Sequence, residues 1–224
     1  MTVLVATAVS ALRVRLDEPT AAQWQDADLR GWLNEGIRDI ARQTRLYTGQ
    51  TTVAVALGSA HEMVLPSTII AIEHLLWKAT GETRTVPLEA RSFSAVQRYV
   101  NETGADPYFY TTYGHAPDLR VQLWPTPTRP GNLYLYGPQL PAALDVATGT
   151  GNIDVIEGWY EAALDYAEYM ARRKDKDDAA WKDVFQLYDA KVKQMIELSA
   201  TDDSMGEFTF TGTSIVPTWL SEFD

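Results

Sequence analysis

The feature that most constrains this chain is a change of hydrophobic period: apolar residues recur at helical spacing at both ends and alternate in the middle. Val5, Val9, Leu12 and Leu16 are separated by four, three and four positions, which puts them on one helical face. Asp17-Glu18-Pro19-Thr20 interrupts that face, because proline disfavours helix in the residue before it. Asp26 then reads as an N-cap, with Asp28 in the first turn where the helix dipole favours a carboxylate. Leu29, Trp32, Leu33, Ile37 and Ile40 form the apolar stripe of that helix, and Arg30, Glu35, Arg38 and Arg42 face outward. After a Gly-rich stretch at 147–152, read as a flexible joint, the helical period returns. Ile156, Trp159, Ala163, Tyr166 and Met170 share one stripe; Val184, Phe185, Tyr188, Val192, Met195 and Ile196 share another. The mixed charges of 172–178 between them read as a helical-hairpin turn or an exposed bridge.

The middle, about 50–145, reads as a β module. Thr51 to Leu57 is rich in β-branched residues, and Ile69 to Ala79 and Thr83 to Leu88 flank a Thr80-Gly81-Glu82 hairpin turn. Tyr108 to Tyr110, Leu119 to Trp124 and Leu133 to Tyr136 are further strands. Pro107, Pro117, Pro125, Pro127, Pro130 and Pro138 punctuate them, so they are expected to be short and often at sheet edges. One interlude, Ser92 to Val100, reads as a short helix capped by Ser92.

Composition removes several chemistries. Cysteine is absent, which excludes disulfides, thiolate catalysis and Cys-based metal sites. His61, His74 and His115 are too scattered to form a local zinc cluster, so no metal or cofactor is expected. Lys and Arg number 19 against 30 Asp and Glu, a net charge of −11 that opposes binding to nucleic acid phosphates. No apolar run approaches the ~18 residues needed to span a bilayer, and residues 3–12 lack the preceding positive charge of a signal sequence. The chain therefore reads as soluble and without a membrane partner. Glu157 and Glu161, four apart on one helical face, are the best local carboxylate pair for acid–base work, but no nucleophile accompanies them. The aromatics of 108–136 could stack sugars, yet in sheets such residues are more often cross-strand pairs and core.

The last segment stands apart. Phe208, Phe210, Ile215, Val216, Trp219, Leu220 and Phe223 crowd a stretch with no Lys or Arg after Lys193. Ordinary frayed ends are polar. At ~3.3 Å per residue, the stretch 206–224 reaches about 60 Å when extended, against a radius of gyration of ~17 Å for a body of this size. It reads as an interaction arm suited to adding a strand to another chain.

Several short motifs follow one another along the chain: Leu16-Asp17-Glu18, Trp24, the capped helix start, Trp32-Leu33-Asn34-Glu35-Gly36, Leu65-Pro66, Gly104-x-x-Pro107-Tyr108, Leu123-Trp124-Pro125-Thr126-Pro127, and a late helix with Leu164, Tyr166 and Ala167. In that order they resemble the motifs of head-to-tail adaptor, or connector, proteins of podovirus-like tailed bacteriophages. Trp24, Asp28, Trp32 and Asn34 match the family pattern as helix-start and packing positions. The resemblance implies an α+β fold: a helical bundle from both ends of the chain, an inserted antiparallel β-domain and an extended C-terminal arm. The expected divisions are 1–50, 51–150, 151–200 and 201–224. It implies no catalytic residue and no cofactor. The implied partners are further copies of the chain in a closed ring of about twelve, a portal protein and tail or nozzle proteins, with duplex DNA passing without specific binding. The implied location is the head–tail interface of the virion, after synthesis in the host cytoplasm. Two alternatives remain at this point: a virion-associated peptidoglycan hydrolase using Glu157 and Glu161, and a carbohydrate-binding β-module.

Overall fold

The computed structural model describes residues 2–18, 20–21, 23–56, 62–96, 103–115, 117–144, 149, 151–154, 159–175 and 180–204. The fold is α+β. Strand β1 (Thr2–Leu4) leads directly into α1 (Val5–Arg15), and α2 (Asp26–Thr44) follows. The β region contains β2 (Thr48–Val55), β3 (Glu62–Val64), β4 (His74–Ala79), β5 (Val86–Pro87) and β6 (Glu89–Ala90). It continues through α3 (Phe93–Val96), β7 (Thr103–Gly104), β8 (Phe109–Tyr113), β9 (Arg120–Trp124), β10 (Thr126–Pro127) and β11 (Gly131–Pro138). Strand β12 (Asn152–Asp154) precedes the helices α4 (Trp159–Lys174) and α5 (Ala180–Ser204).

Helices from the two ends of the chain share one core. Val5, Ala8, Val9 and Leu12 of α1 and Leu29, Trp32, Leu33, Ile37 and Ile40 of α2 are buried with Trp159, Ala163, Leu164 and Ala167 of α4. Tyr188 and Val192 of α5 complete it. Each stripe is apolar on one side only, so burial against another helix is its route out of water. Close approach of α2 and α4 depends on Gly36, where a Cβ would lie 2.9 Å from the Tyr166 Cβ.

A second core lies between two four-stranded sheets, ordered β2-β11-β4-β5 and β3-β9-β8-β6. Val55, Leu75, Trp77, Leu133 and Leu135 from the first sheet meet Tyr110, Val121 and Leu123 from the second. Pairing is antiparallel except for two two-residue parallel contacts, β6 with β8 and β7 with β10. The expected hairpin is present, with Leu76 opposite Pro87 and Trp77 opposite Val86.

Three expectations need correction. Asp26 is not the N-cap: Gln25 holds that position, its carbonyl accepting the Leu29 N–H and its side chain capping nothing, while the Asp26 carboxylate is taken by Arg13. The proline-flanked strands are not mostly edges, since β9 and β11 are central in their sheets. Their prolines stand at strand ends or in the connections, where no ladder hydrogen bond is lost. The Gly-rich joint also carries structure at its end: Asn152 to Asp154 pairs antiparallel with Thr2 to Leu4, tying the chain start to the entry of the late helices. Residues 97–100 of the expected middle helix, Ile156 of the stripe that contains Trp159, and residues 205–224 of the expected arm lie outside the described residues.

Candidate functional site

The motif residues near the N-terminus converge on one corner of the helical body. Trp24 and Trp32 meet edge to face, with ring centroids 5.3 Å apart. The Lys174 ammonium sits 5.4 Å and 5.3 Å from these two ring centroids and 3.9 Å from Asp28 Oδ1. Trp24, Asp28 and Trp32 are thus joined by a cation from the last turn of α4, and together they fasten the start of α2 to the end of α4. Asn34 lies elsewhere: its Oδ1 accepts the Leu144 backbone N–H at 3.0 Å, which anchors the irregular segment leaving the β region onto α2.

The loop holding Trp24 has its own fastener. Glu18 Oε1 accepts the backbone N–H groups of Gln23 and Trp24. Arg13, 8% exposed, donates from Nη2 to the Trp24 carbonyl at 2.9 Å and to Asp26 Oδ1 at 2.5 Å, and lies 3.5 Å from Glu18 Oε2. Asp17 adopts φ +54°, the left-handed conformation that turns the chain out of α1. The acidic motif is therefore loop-closing machinery.

Along α4 the carboxylates are occupied by cations from other helices. Asp165, 4% exposed, receives Arg15 Nη1 at 2.6 Å and Lys191 Nζ at 2.5 Å. Arg15 also pairs with Glu161 and lies 3.8 Å from Glu168, and Arg172 returns to the Arg15 carbonyl at 3.2 Å. Burial would lower the Arg15 pKa, but the hydrogen bond that Arg15 donates to Asp165 and the charges of Asp165, Glu161 and Glu168 outweigh that effect and raise it. Glu161 is therefore an ion-pair partner, and Glu157 lies outside the described residues. Arg13, Arg15 and Asp165 carried no periodic signal. The available clue was a pair of arginines beside a buried stripe, facing an acidic excess in later helices. Between α4 and α5, Tyr166 and Tyr188 stack edge to face at 5.3 Å, and Tyr188 donates to Asp39 Oδ2 at 2.5 Å. Burial, then that hydrogen bond, pushes the Tyr188 phenol far above its ordinary range.

In the β region the motif pieces also touch. Gly104 leaves room for Pro125, whose Cγ would lie 2.8 Å from a Cβ at that position. The Tyr108 N–H donates to the Trp124 carbonyl at 2.8 Å, and the Thr128 N–H to the Gly104 carbonyl at 2.8 Å. Between Gly104 and Pro107, Asp106 accepts from Trp77 Nε1 at 2.7 Å and from Arg129 at 2.5 Å. The Arg129 hydrogen bond, helped by that of Trp77, lowers the Asp106 pKa against the opposing effect of burial. Of the aromatics weighed as sugar-stacking surface, Tyr110 and Trp124 are buried and Tyr108 is exposed. Phe109 and Tyr113 are half-buried under Arg91 and Phe93.

Among the described residues no group of three or more His, Asp or Glu could hold a metal, and no helix is long and apolar enough to cross a membrane. His74 and His115 stand apart on the surface, and His61 is outside the described residues. What the described residues do offer is surface: Leu187 and Leu198 stand exposed on the side of α5 turned away from the buried Tyr188 and Val192, and Phe185 and Ile196 are partly exposed beside the packed side. The motifs are architectural, and the class they define is that of a structural assembly protein. The family model for the SU10 adaptor protein matches residues 2–212, and the chain belongs to that family. It is a bacteriophage adaptor, a virion component that works by contacting other virion proteins. No match is found among curated proteins.

Proposed function

We propose that this adaptor closes into a homo-oligomeric ring, of about twelve copies, below the portal at the head–tail interface. There it extends the DNA channel and presents a platform to tail or nozzle proteins. In this reading it acts through surfaces and carries out no catalysis. The observation that carries the reading is on α5, where Leu187 and Leu198 share one side of the helix and are exposed, turned away from the packed Tyr188 and Val192. Exposed apolar patches of this kind mark docking surfaces. The net charge of −11 suits a wall along which duplex DNA slides without sticking. Production in the host cytoplasm precedes assembly.

The arm is part of the same proposal. Phe208, Phe210, Ile215, Val216, Trp219, Leu220 and Phe223, all outside the described residues, hold a neighbouring chain, with Trp219 and Phe223 as aromatic anchors. Native mass spectrometry of the purified protein, alone and with portal, tests the ring. A single closed copy number, or one reached on the portal, supports it; a monomer that ignores the portal sinks it. Removing 206–224 is expected to leave the thermal midpoint unchanged while blocking ring closure or tail attachment. A truncated monomer that melts much earlier would make the segment core instead of arm.

A further inference from the structure

Two arginines of α2 are not used by the fold. Arg38 and Arg42, one turn apart, form one wall of a cleft of about 520 Å³ whose other wall carries Ser67, Ile70, His115 and Leu140. Arg13, Arg15, Arg91, Arg120, Arg129 and Arg172 each pair with a carboxylate. Among the described residues the side chains of Arg38 and Arg42 pair with none. Arg38 Nε is shielded from solvent and has no hydrogen-bond partner. The nearest acids do not remove the need for one. Asp39, on the adjoining hollow, is occupied by the Tyr188 hydroxyl at 2.5 Å and by Gln43 at 2.6 Å, and Glu35 is exposed. A shielded guanidinium donor without an acceptor is unfavourable, and the planar fork of arginine fits a carboxylate. The cleft therefore asks for an acidic occupant with some apolar surface, since Ile70 and Leu140 line it opposite the arginines.

The chain itself contains such a segment. Residues 217–224, Pro-Thr-Trp-Leu-Ser-Glu-Phe-Asp, bring Glu222 and Asp224 together with Trp219, Leu220 and Phe223 and contain no Lys or Arg. We propose that the Arg38–Arg42 cleft receives residues 217–224 of a neighbouring copy, with Glu222 and Asp224 on the arginines and the aromatic side chains over Ile70 and Leu140. This rests on the arm reading above. A cleft and an arm on different parts of each copy make a heterologous contact, and repetition of such a contact around an axis closes a ring. The opposite charges also guide each arm to the cleft within a chain of net charge −11.

The test uses the full chain with a photo-crosslinking phenylalanine analogue in place of Phe223, prepared as a mixture of ordinary and 15N-labelled protein. Crosslinks between unlike-labelled chains are expected in peptides containing Arg38–Arg42 or Ser67–Ile70. Arg38→Glu with Arg42→Glu should lower their yield about tenfold, and adding Glu222→Arg with Asp224→Arg should restore it. If the Glu pair does not fold by circular dichroism, Arg38→Gln with Arg42→Gln takes its place with the same expected direction. Crosslinks confined within one chain overturn the neighbouring-copy assignment. Crosslinks to another surface of a second copy overturn the cleft and leave the arm reading intact. No crosslink to any copy, or a yield unaffected by the arginine changes, also overturns the proposal, the former taking with it the arm's grip on its own kind.

Discussion

The helical body and the β region are fastened in opposite ways. In the helical body, polar contacts join residues far apart in sequence: Arg15 and Asp165 are separated by 150 positions, and Gln23 and Asp175 by 152. In the β region the comparable lock is shorter in range, with Trp77 and Asp106 separated by 29 positions and Arg129 and Asp106 by 23. One region is held by contacts that exist only once both chain ends have met. The other closes on itself between its own entry and exit. The contrast teaches that an inserted β region can be locked internally while the body around it waits for the end of the chain. Leu187 and Leu198, exposed apolar side chains, lie on α5, the last described element of that body.

The sharpest way to break this comparison is a matched pair of core truncations. Trp159→Ala in the helical core and Trp124→Ala in the β region each remove a ring that is 2% or less exposed, and each should cost about 3–5 kcal/mol. Protection of backbone amides by hydrogen exchange should fall mainly in the helices for the first and mainly in the strands for the second. Equal loss everywhere in both would mean that the two regions are one cooperative unit. Asp165→Ala comes next. It leaves Arg15 and Lys191 without their shared carboxylate at a buried position, at a cost of about 2–3 kcal/mol in chemical denaturation, because both cations keep some solvent. A midpoint unchanged from wild type would show the network to be ornamental.

Asp106→Asn sharpens the β side through pH. Because the folded-state pKa of Asp106 lies below its ordinary value of 3.8, its contribution is present above that value and is lost as pH falls through the folded pKa. The gap between wild type and the variant, about 1 kcal/mol at neutral pH for a partly exposed pair, should therefore shrink below about pH 4. A gap that widened in acid would contradict the assignment. The smallest effect is expected at Lys174→Ala, whose ammonium bridges the Trp24 and Trp32 rings from a mostly exposed position. About 0.5–1 kcal/mol should be lost in chemical denaturation.

How much of this was legible beforehand differs between the same two regions. The helical stripes at Leu29, Trp32, Leu33, Ile37 and Trp159, Ala163 could be read because burial on one side of a helix imposes its own period on the sequence. The β strands were placed, but their order was not: prolines near Leu119 to Trp124 and Leu133 to Tyr136 suggested edges, and both strands are central. Proline reports a missing donor at one position and says nothing about which neighbours the rest of the strand acquires. The motif Gly104-x-x-Pro107 and the Trp124-Pro125 step were visible as separate pieces, yet only the fold brings Gly104 against Pro125.

By itself, then, the sequence determined the α+β class, the two helical ends, the positions of most strands and the family, because periodicity and ordered motifs are local properties of the chain. Only the tertiary structure decided which charges are used. Asp26 passes from helix cap to arginine partner, Glu161 from imagined acid to ion pair, and Asp165 becomes the buried hub of three helices. Arg38 and Arg42 are left facing a cleft. A charge is assigned by whatever lies within a few ångströms of it, and that neighbourhood is made by chain segments that sequence distance does not relate.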